Sequence, residues 1–457
     1  MLTNLVEFQF VMRPLRKPAM QGIRGVWMIT HEGNGLIRRV FILDADASYL
    51  RFARLRKLSW VLAAVGPGIM VMLADTDAGS VITAAQSGAE WGYRMVLPLV
   101  ILIPILYVIQ EITVRLGALT GKGHGALIRE RYGMKWALLS VGTLFLSAVG
   151  ALVTEFSGIA GASQLFGVPG WLSVSIATIL LIFLGLSGSY RRVERVGIAV
   201  GLFELVFILM AFLAHPNPQQ LVAEMASVPW RSQSYMFLLA ANVGAVIMPW
   251  MIFYQQGAVI DKRLTITQVG TARWDTVIGA IVSQVLMIAV VVATAATIGQ
   301  IHPNHPLNDV AQIASTLTPV LGRSVANTLF GLGMLGASFI AALVVSIAGA
   351  WGIGEALAFK HSLNDRPHEA KWFYAIYSFA HVGGALLVIF SLNLVALAVD
   401  VEVMNAMLLP IVLGFLLLLE ARVLPVSWRM KGVYKYTVWT ISGVVMAFGV
   451  YMACVML

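Results

Sequence analysis

The stretch Leu73-Ala74-Asp75-Thr76-Asp77-Ala78-Gly79-Ser80 lies inside an apolar segment that runs from about Trp60 to Gly88. A carboxylate in hydrocarbon costs ~2.5–3.5 kcal/mol even on the lenient insertion scale, so an intramembrane acid is a functional residue by default. On a regular helix Asp75 and Asp77 would face different ways. In an extended stretch a carboxylate and the neighbouring carbonyls can turn into one cavity. Gly79 lowers the cost of leaving the helix at this point. A second interruption sits in Asn242-Val243-Gly244-Ala245-Val246-Ile247-Met248-Pro249-Trp250. Pro249 has no N–H to donate, which frees the carbonyl of Ala245 four residues back. A free carbonyl at membrane depth needs a partner, and a cation or water in a cavity is one. Two broken apolar segments in corresponding places of two halves point to a substrate site at the bilayer midplane.

Composition supports a membrane setting. The 457 residues are 59% hydrophobic and 12% charged, with a mean hydropathy of +0.84; a soluble domain carries about twice that charged fraction. The net charge of +9 is spread over short loops, so it is no sign of a nucleic-acid partner. The single cysteine, Cys454, excludes an internal disulfide, and no Cys/His spacing suits zinc. No nucleophile is paired with a base, which argues against an enzyme. Residues 1–55 are mixed and basic and hold no long apolar run; they are expected to form a weakly ordered cytoplasmic tail.

Eleven spans are expected, at about 58–88, 94–118, 136–164, 171–189, 194–214, 236–257, 274–300, 326–358, 373–391, 395–420 and 434–456. Each is long enough for a ~30 Å hydrocarbon core. Lys and Arg cluster in alternate loops: Lys122 to Lys135, Arg191 to Arg195, Lys262 to Arg273, Lys360 to Lys371 and Arg422 to Lys435. The loops Phe166–Gly170 and His215–Pro229 have neither. By the positive-inside rule the amino terminus is cytoplasmic and the carboxyl terminus outside. Eleven divides as five, five and one. The domain expected over residues 56–457 is therefore an all-α polytopic bundle. It has an inverted repeat at about 58–214 and 236–420, with helices 1 and 6 broken, and an extra helix at about 434–456.

Several motifs resemble the natural resistance-associated macrophage protein (Nramp) family of metal transporters. Gln86-Ser87-Gly88-Ala89-Glu90-Trp91-Gly92-Tyr93 is similar to that family's end of the first helix, and Leu116-Gly117-Ala118-Leu119-Thr120-Gly121-Lys122 to its end of the second. Glu155-Phe156-Ser157-Gly158, Gly244 to Pro249, and Asn405-Ala406-Met407-Leu408-Leu409-Pro410 are similar to its third, sixth and tenth helices. The resemblance sets Asp77-Ala78-Gly79-Ser80 on the family's Asp-Pro-Gly-Asn and Met248-Pro249-Trp250 on its Met-Pro-His. Leu152 stands where an aspartate precedes the third-helix acid, and Asn405 where the tenth helix has glutamine. These departures resemble the divergent branch that includes magnesium transporters. The resemblance implies a five-plus-five fold of the LeuT type and import of a divalent metal by alternating access, with or without protons.

The candidate metal ligands are Asp77, Ser80, Ala245 and Met248, with Asp75 and Asn405 beside them. A thioether suits softer transition metals such as Mn²⁺ or Fe²⁺. A roomy, carboxylate-rich site suits hydrated Mg²⁺. The residues leave both open, with the methionine tilting toward the former. Glu155 is read as a structural partner or part of a proton path, Gln255 as an exit lining, and Asp275 as a gate or anchor. If the tenth helix borders the site, as the resemblance implies, Asp400 and Glu402 add to its negative potential. Glu111 and Arg115, four apart, read as an ion pair, and His381 as a satisfied core histidine. The metal is cargo, so no resident cofactor is expected. The expected partners are the metal ion, the lipid bilayer and, in one reading, protons; the expected state is a monomer in the inner (plasma) membrane. Two alternatives are a same-fold transporter of an organic substrate such as an amino acid, and a non-transporting sensor.

Overall fold

In a bilayer each backbone N–H and C=O must find its partner within the protein, which a helix does within its own segment. Every regular element among the described residues is helical. The computed structural model describes residues 66–301, 307, 309–389 and 394–456, and all belong to one compact unit. The expected tail, 1–55, and the start of the first expected span lie outside the described residues.

The first interrupted segment is α1 (Pro67–Asp75) and α2 (Ala78–Trp91). Pro67 opens α1 at a position where its missing N–H costs nothing. A 3₁₀ turn over Gly92–Met95 leads into α3 (Val96–Thr120), and α4 (Met134–Gln164) and α5 (Gly170–Gly185) follow. Next come α6 (Tyr190–Gly201), a 3₁₀ turn over Leu202–Leu205 and α7 (Val206–Leu213). The second interrupted segment is α8 (Gln233–Val246) and α9 (Pro249–Asp261). The remainder is α10 (Val269–Ala296), α11 (Arg323–Leu357), α12 (Lys371–Ile389), α13 (Leu394–Val423) and α14 (Gly432–Met456). Short helices at His124–Tyr132 and Pro218–Met225 lie in connections.

Among the described residues nine helical segments are long and apolar enough to cross a membrane, and Gly170–Gly185 is a shorter apolar helix. Ala78–Thr120 is one of the nine, although the sequence divides it into two spans at Gly92, whose φ of 59° bends the chain. The fifth expected span begins four residues early. Arg191, Arg192 and Arg195, read as loop, are exposed turns of α6, while Val193 and Glu194 between them are buried. Arginines can hold a helix end in water while its other face packs.

The perimeter is apolar: Phe183, Phe212 and Phe379 are 71%, 77% and 79% exposed. Trp136, Trp274 and Trp372 stand exposed near helix ends on the side of the basic loops, and Trp171 and Trp230 on the other, which matches two interfacial aromatic belts. The α8–α9 segment is the most enclosed of the nine. α8 packs on α13 and α2, while α9 packs on α3, α11 and α1. Gly244 makes the α8–α13 approach possible, because a Cβ there would run into the backbone carbonyl of Glu402.

The buried polar groups off the breaks are mostly paired. Arg115 binds Glu111 at 2.9 Å and Glu420 at 3.3 Å, and Arg273 binds Glu111 at 2.7 Å. The expected pair is thus part of a four-residue network joining α3, α10 and α13. His381 lies 2.9 Å from the Tyr377 carbonyl and 3.3 Å from the Ser346 hydroxyl, as expected of a satisfied core histidine.

Candidate functional site

α1 stops at Asp75, and the chain leaves the helix at Thr76 (φ −80°, ψ 49°) and Asp77 (φ −74°, ψ 176°). Asp77 then caps α2: its Oδ1 accepts the Ser80 N–H at 2.7 Å, satisfying one of the donors a helix start leaves free. α8 stops at Val246, and Ile247 (φ −126°, ψ 82°) and Met248 (φ −90°, ψ 140°) run extended before Pro249 restarts the helix. The two breaks meet. The Ser80 hydroxyl donates to the Ala245 carbonyl at 3.2 Å, the carbonyl that Pro249 frees.

The other predicted residues fall into distinct places. Met248 is fully buried, and its sulfur accepts the Trp250 indole N–H at 3.0 Å. Asp75 takes a hydrogen bond at 3.4 Å from the Gln284 amide of α10. Asn405 accepts from the Ser147 hydroxyl at 2.7 Å and donates to Glu402 at 3.0 Å, linking α4 to α13. Glu155 accepts the Ala78 N–H at 3.1 Å and the Thr154 hydroxyl at 3.2 Å. It therefore stands beside Asp77 at the start of α2, where the helix dipole favours negative charge. Asp275 accepts the Gly66 and Gly68 N–H groups at 3.1 and 2.7 Å, anchoring the start of α1 to α10. Gln255 donates to the Thr276 hydroxyl at 3.4 Å.

Two further acids complete the surroundings of the first break. Glu402 sits against Gly79, so that a Cβ on Gly79 would touch its carboxylate. Glu204, in the 3₁₀ turn between α6 and α7, faces Thr76 and is close enough to feel both Asp77 and Asp75. The sequence reading passed over Glu204, although a lone acid within Leu202-Phe203-Glu204-Leu205-Val206-Phe207 was signal enough. Asp75, Asp77, Glu155, Glu204 and Glu402 are each at most 1% exposed. None belongs to an ion pair found among the described residues. Among those residues, no three His, Cys, Asp or Glu side chains gather closely enough to hold a metal by themselves. A cation between the breaks would therefore draw on carbonyl, hydroxyl and thioether groups as well as carboxylate.

The two sides of the bundle differ. Away from the basic loops, Gln86, Glu90, Leu307 and Asp400 line a cavity of about 340 Å³ between α2, α8 and α13. Toward the basic loops the packing is closed: Gln256 donates to the Lys122 carbonyl at 2.7 Å, and Glu355 accepts the Gly125 N–H at 2.8 Å. His124, in the connection beneath, packs edge-on against Phe253 with centroids 4.8 Å apart. Burial pushes its imidazole down to about 4, because the charged ring would lose its water.

The family profile described as natural resistance-associated macrophage protein-like matches residues 68–455. A divalent metal cation transporter, MntH, of Vibrio campbellii is 24% identical over 326 residues, covering 69% of this chain and 76% of that protein. A manganese transporter of Eremococcus coleocola has a similar fold, with a TM-score of 0.70, 19% identity and 85% of each chain covered. A Na⁺-coupled sialic acid symporter is similar at a TM-score of 0.54 and 14% identity, covering 87% of this chain and 89% of that one.

Proposed function

The chain belongs to the Nramp family, and on that premise we propose that it carries a divalent metal cation across a membrane by alternating access. The observation that carries this reading is the junction of the two breaks: Asp77 caps α2 while Ser80, three residues on, bonds to the freed Ala245 carbonyl. A cation entering there trades that hydrogen bond for oxygen ligands from both halves of the fold. Movement of one half against the other then changes the side from which the ion is reached. The names of the relatives, a divalent metal cation transporter and a manganese transporter, support the same cargo class. The five buried carboxylates speak against an organic anion as substrate.

Mn²⁺ is the first reading of the cargo and Mg²⁺ the second. The second has an observation of its own: the Trp250 indole holds the Met248 sulfur, the one soft donor of the set. A site left with oxygen suits a hard ion. The proposed orientation puts the basic loops on the cytoplasmic side of the inner membrane, which makes the 340 Å³ cavity face outward.

The test is uptake by the purified protein in liposomes over Mn²⁺, Fe²⁺, Cd²⁺, Mg²⁺ and Ca²⁺, with a pH dye inside to read any proton that travels with the metal. Saturable uptake of Mn²⁺ or Mg²⁺ is expected. No flux of any of the five, in protein that retains its fold, refutes the proposal.

A further inference from the structure

We propose that Asp75 and Glu204, with Thr76 and Gln284, form a second cation site behind the first break, made of oxygen ligands alone and separate from the Asp77–Ala245 junction.

Three elements converge there. Asp75 is the last residue of α1 and Thr76 its cap. Gln284 lies midway along α10 and gives its amide N–H to Asp75. Glu204 arrives from the turn between α6 and α7. One turn earlier, at Gly201, a Cβ would sit 3.1 Å from a Leu73 methyl, and three residues on Glu204 faces Thr76.

The oxygens at this place are unspent. Asp75 Oδ1, Thr76 Oγ1, both Glu204 carboxylate oxygens and Gln284 Oε1 are buried with no hydrogen-bond partner in the protein. Thr76 and Gln284 are fully buried, as is Glu204. Native proteins rarely leave even one such group unmatched, and here five are gathered. The donors at hand are few: the Thr76 hydroxyl facing Glu204, and the Gln284 amide and Ser283 hydroxyl beside Asp75, too few for two ionised carboxylates and a carbonyl. Water could fill the hydrogen bonds but would leave the two acids either as unpaired carboxylates, which are costly to bury, or neutralised by protons. A cation answers both demands.

Charge counting points the same way. Five carboxylates surround the break, with no Lys, Arg or His paired to any of them among the described ion pairs. One divalent ion at the junction balances two. The donor set behind the break contains no sulfur and no imidazole, which selects a hard cation such as Mg²⁺, Ca²⁺ or Mn²⁺ over Cd²⁺ or Zn²⁺.

The inference does not depend on Asp77 holding the cargo, and the test separates the two. The full-length protein in nanodiscs is dialysed to equilibrium against Mn²⁺, and bound metal per chain is measured. Wild type should hold two ions, Glu204→Gln one, Asp77→Asn one, and the double variant none. Gln284→Leu should weaken the second ion about tenfold or more and leave the first unchanged. Size-exclusion and melting profiles report whether each variant is folded. Two ions retained by Glu204→Gln would overturn the proposal. A single ion in wild type that survives Glu204→Gln would also overturn it and leave the site to water or protons. A single ion lost in Glu204→Gln but kept in Asp77→Asn would support the second site and sink the Asp77 assignment. No bound Mn²⁺ in folded wild type overturns both.

Discussion

Replacing Asp77 with asparagine separates its two tasks. One carboxylate oxygen caps α2 at Ser80, and the other is buried without a partner in the protein. Asparagine keeps an oxygen for the cap, and the two residues cap about equally well, so Asp77→Asn should change stability by less than about 1 kcal/mol. Alanine loses the cap and should cost about 1 kcal/mol, within a range of about 0.5–2. In the proposed site, a bound metal responds to the charge instead. Removing one partner of a buried charged contact typically costs about 2–5 kcal/mol, which is about 30- to 5,000-fold in affinity. Both variants should therefore lose nearly all liposomal Mn²⁺ uptake at subsaturating metal. In the metal-free protein, only Asp77→Ala should melt measurably earlier. Wild-type flux in Asp77→Asn would refute the assignment of the charge. Equal destabilisation of the two variants would refute the separation between cap and ligand.

Other outcomes follow from the same geometry. Trp250→Phe releases the Met248 sulfur from its indole partner and should raise Cd²⁺ affinity several-fold while leaving Mg²⁺ unchanged; an equal change in both, by competition uptake, would remove Met248 from the ligand set. His124→Leu removes a histidine held neutral, with a pKa of about 4 in the folded protein against about 6.5 unfolded. Between those values the unfolded chain binds more protons, so this histidine's contribution to stability is intact above about pH 6.5 and is lost as pH falls toward 4. The stability difference between wild type and His124→Leu should therefore shift by about 3 kcal/mol over that window, read from paired melting curves, and a difference flat in pH would show that His124 does not titrate there.

Both breaks were legible because each depends on local chemistry: Asp77 with Gly79 in one apolar run, and a proline in another. Ala245 is legible because Pro249 says which carbonyl is free, whereas its bond to Ser80, 165 residues away, belongs to tertiary packing. Asp75 could not be assigned to α10, since Gln284 lies 209 residues away and neither residue type announces the other. Asp275 reads as a gate or anchor from its place near Arg273, but its partners are backbone N–H groups of Gly66 and Gly68, which no side-chain pattern reveals. The Glu111–Arg115 pair was visible from its spacing, whereas Arg273 and Glu420 join it only through tertiary packing. Glu204 is hard to place for a different reason: it stands in an uninterrupted hydrophobic stretch, with no glycine or proline beside it to mark a break.

The bond between Asp275 and the start of α1 makes a bolt of that short helix. Swinging α1 away would surrender two hydrogen bonds to a carboxylate, each worth about 1.5–3 kcal/mol. The sum, about 3–6 kcal/mol, leaves the swung form at roughly one molecule in a hundred or far fewer. An unloaded carrier would then seldom leak through that door, and whatever unlocks it must bring a comparable free energy of its own.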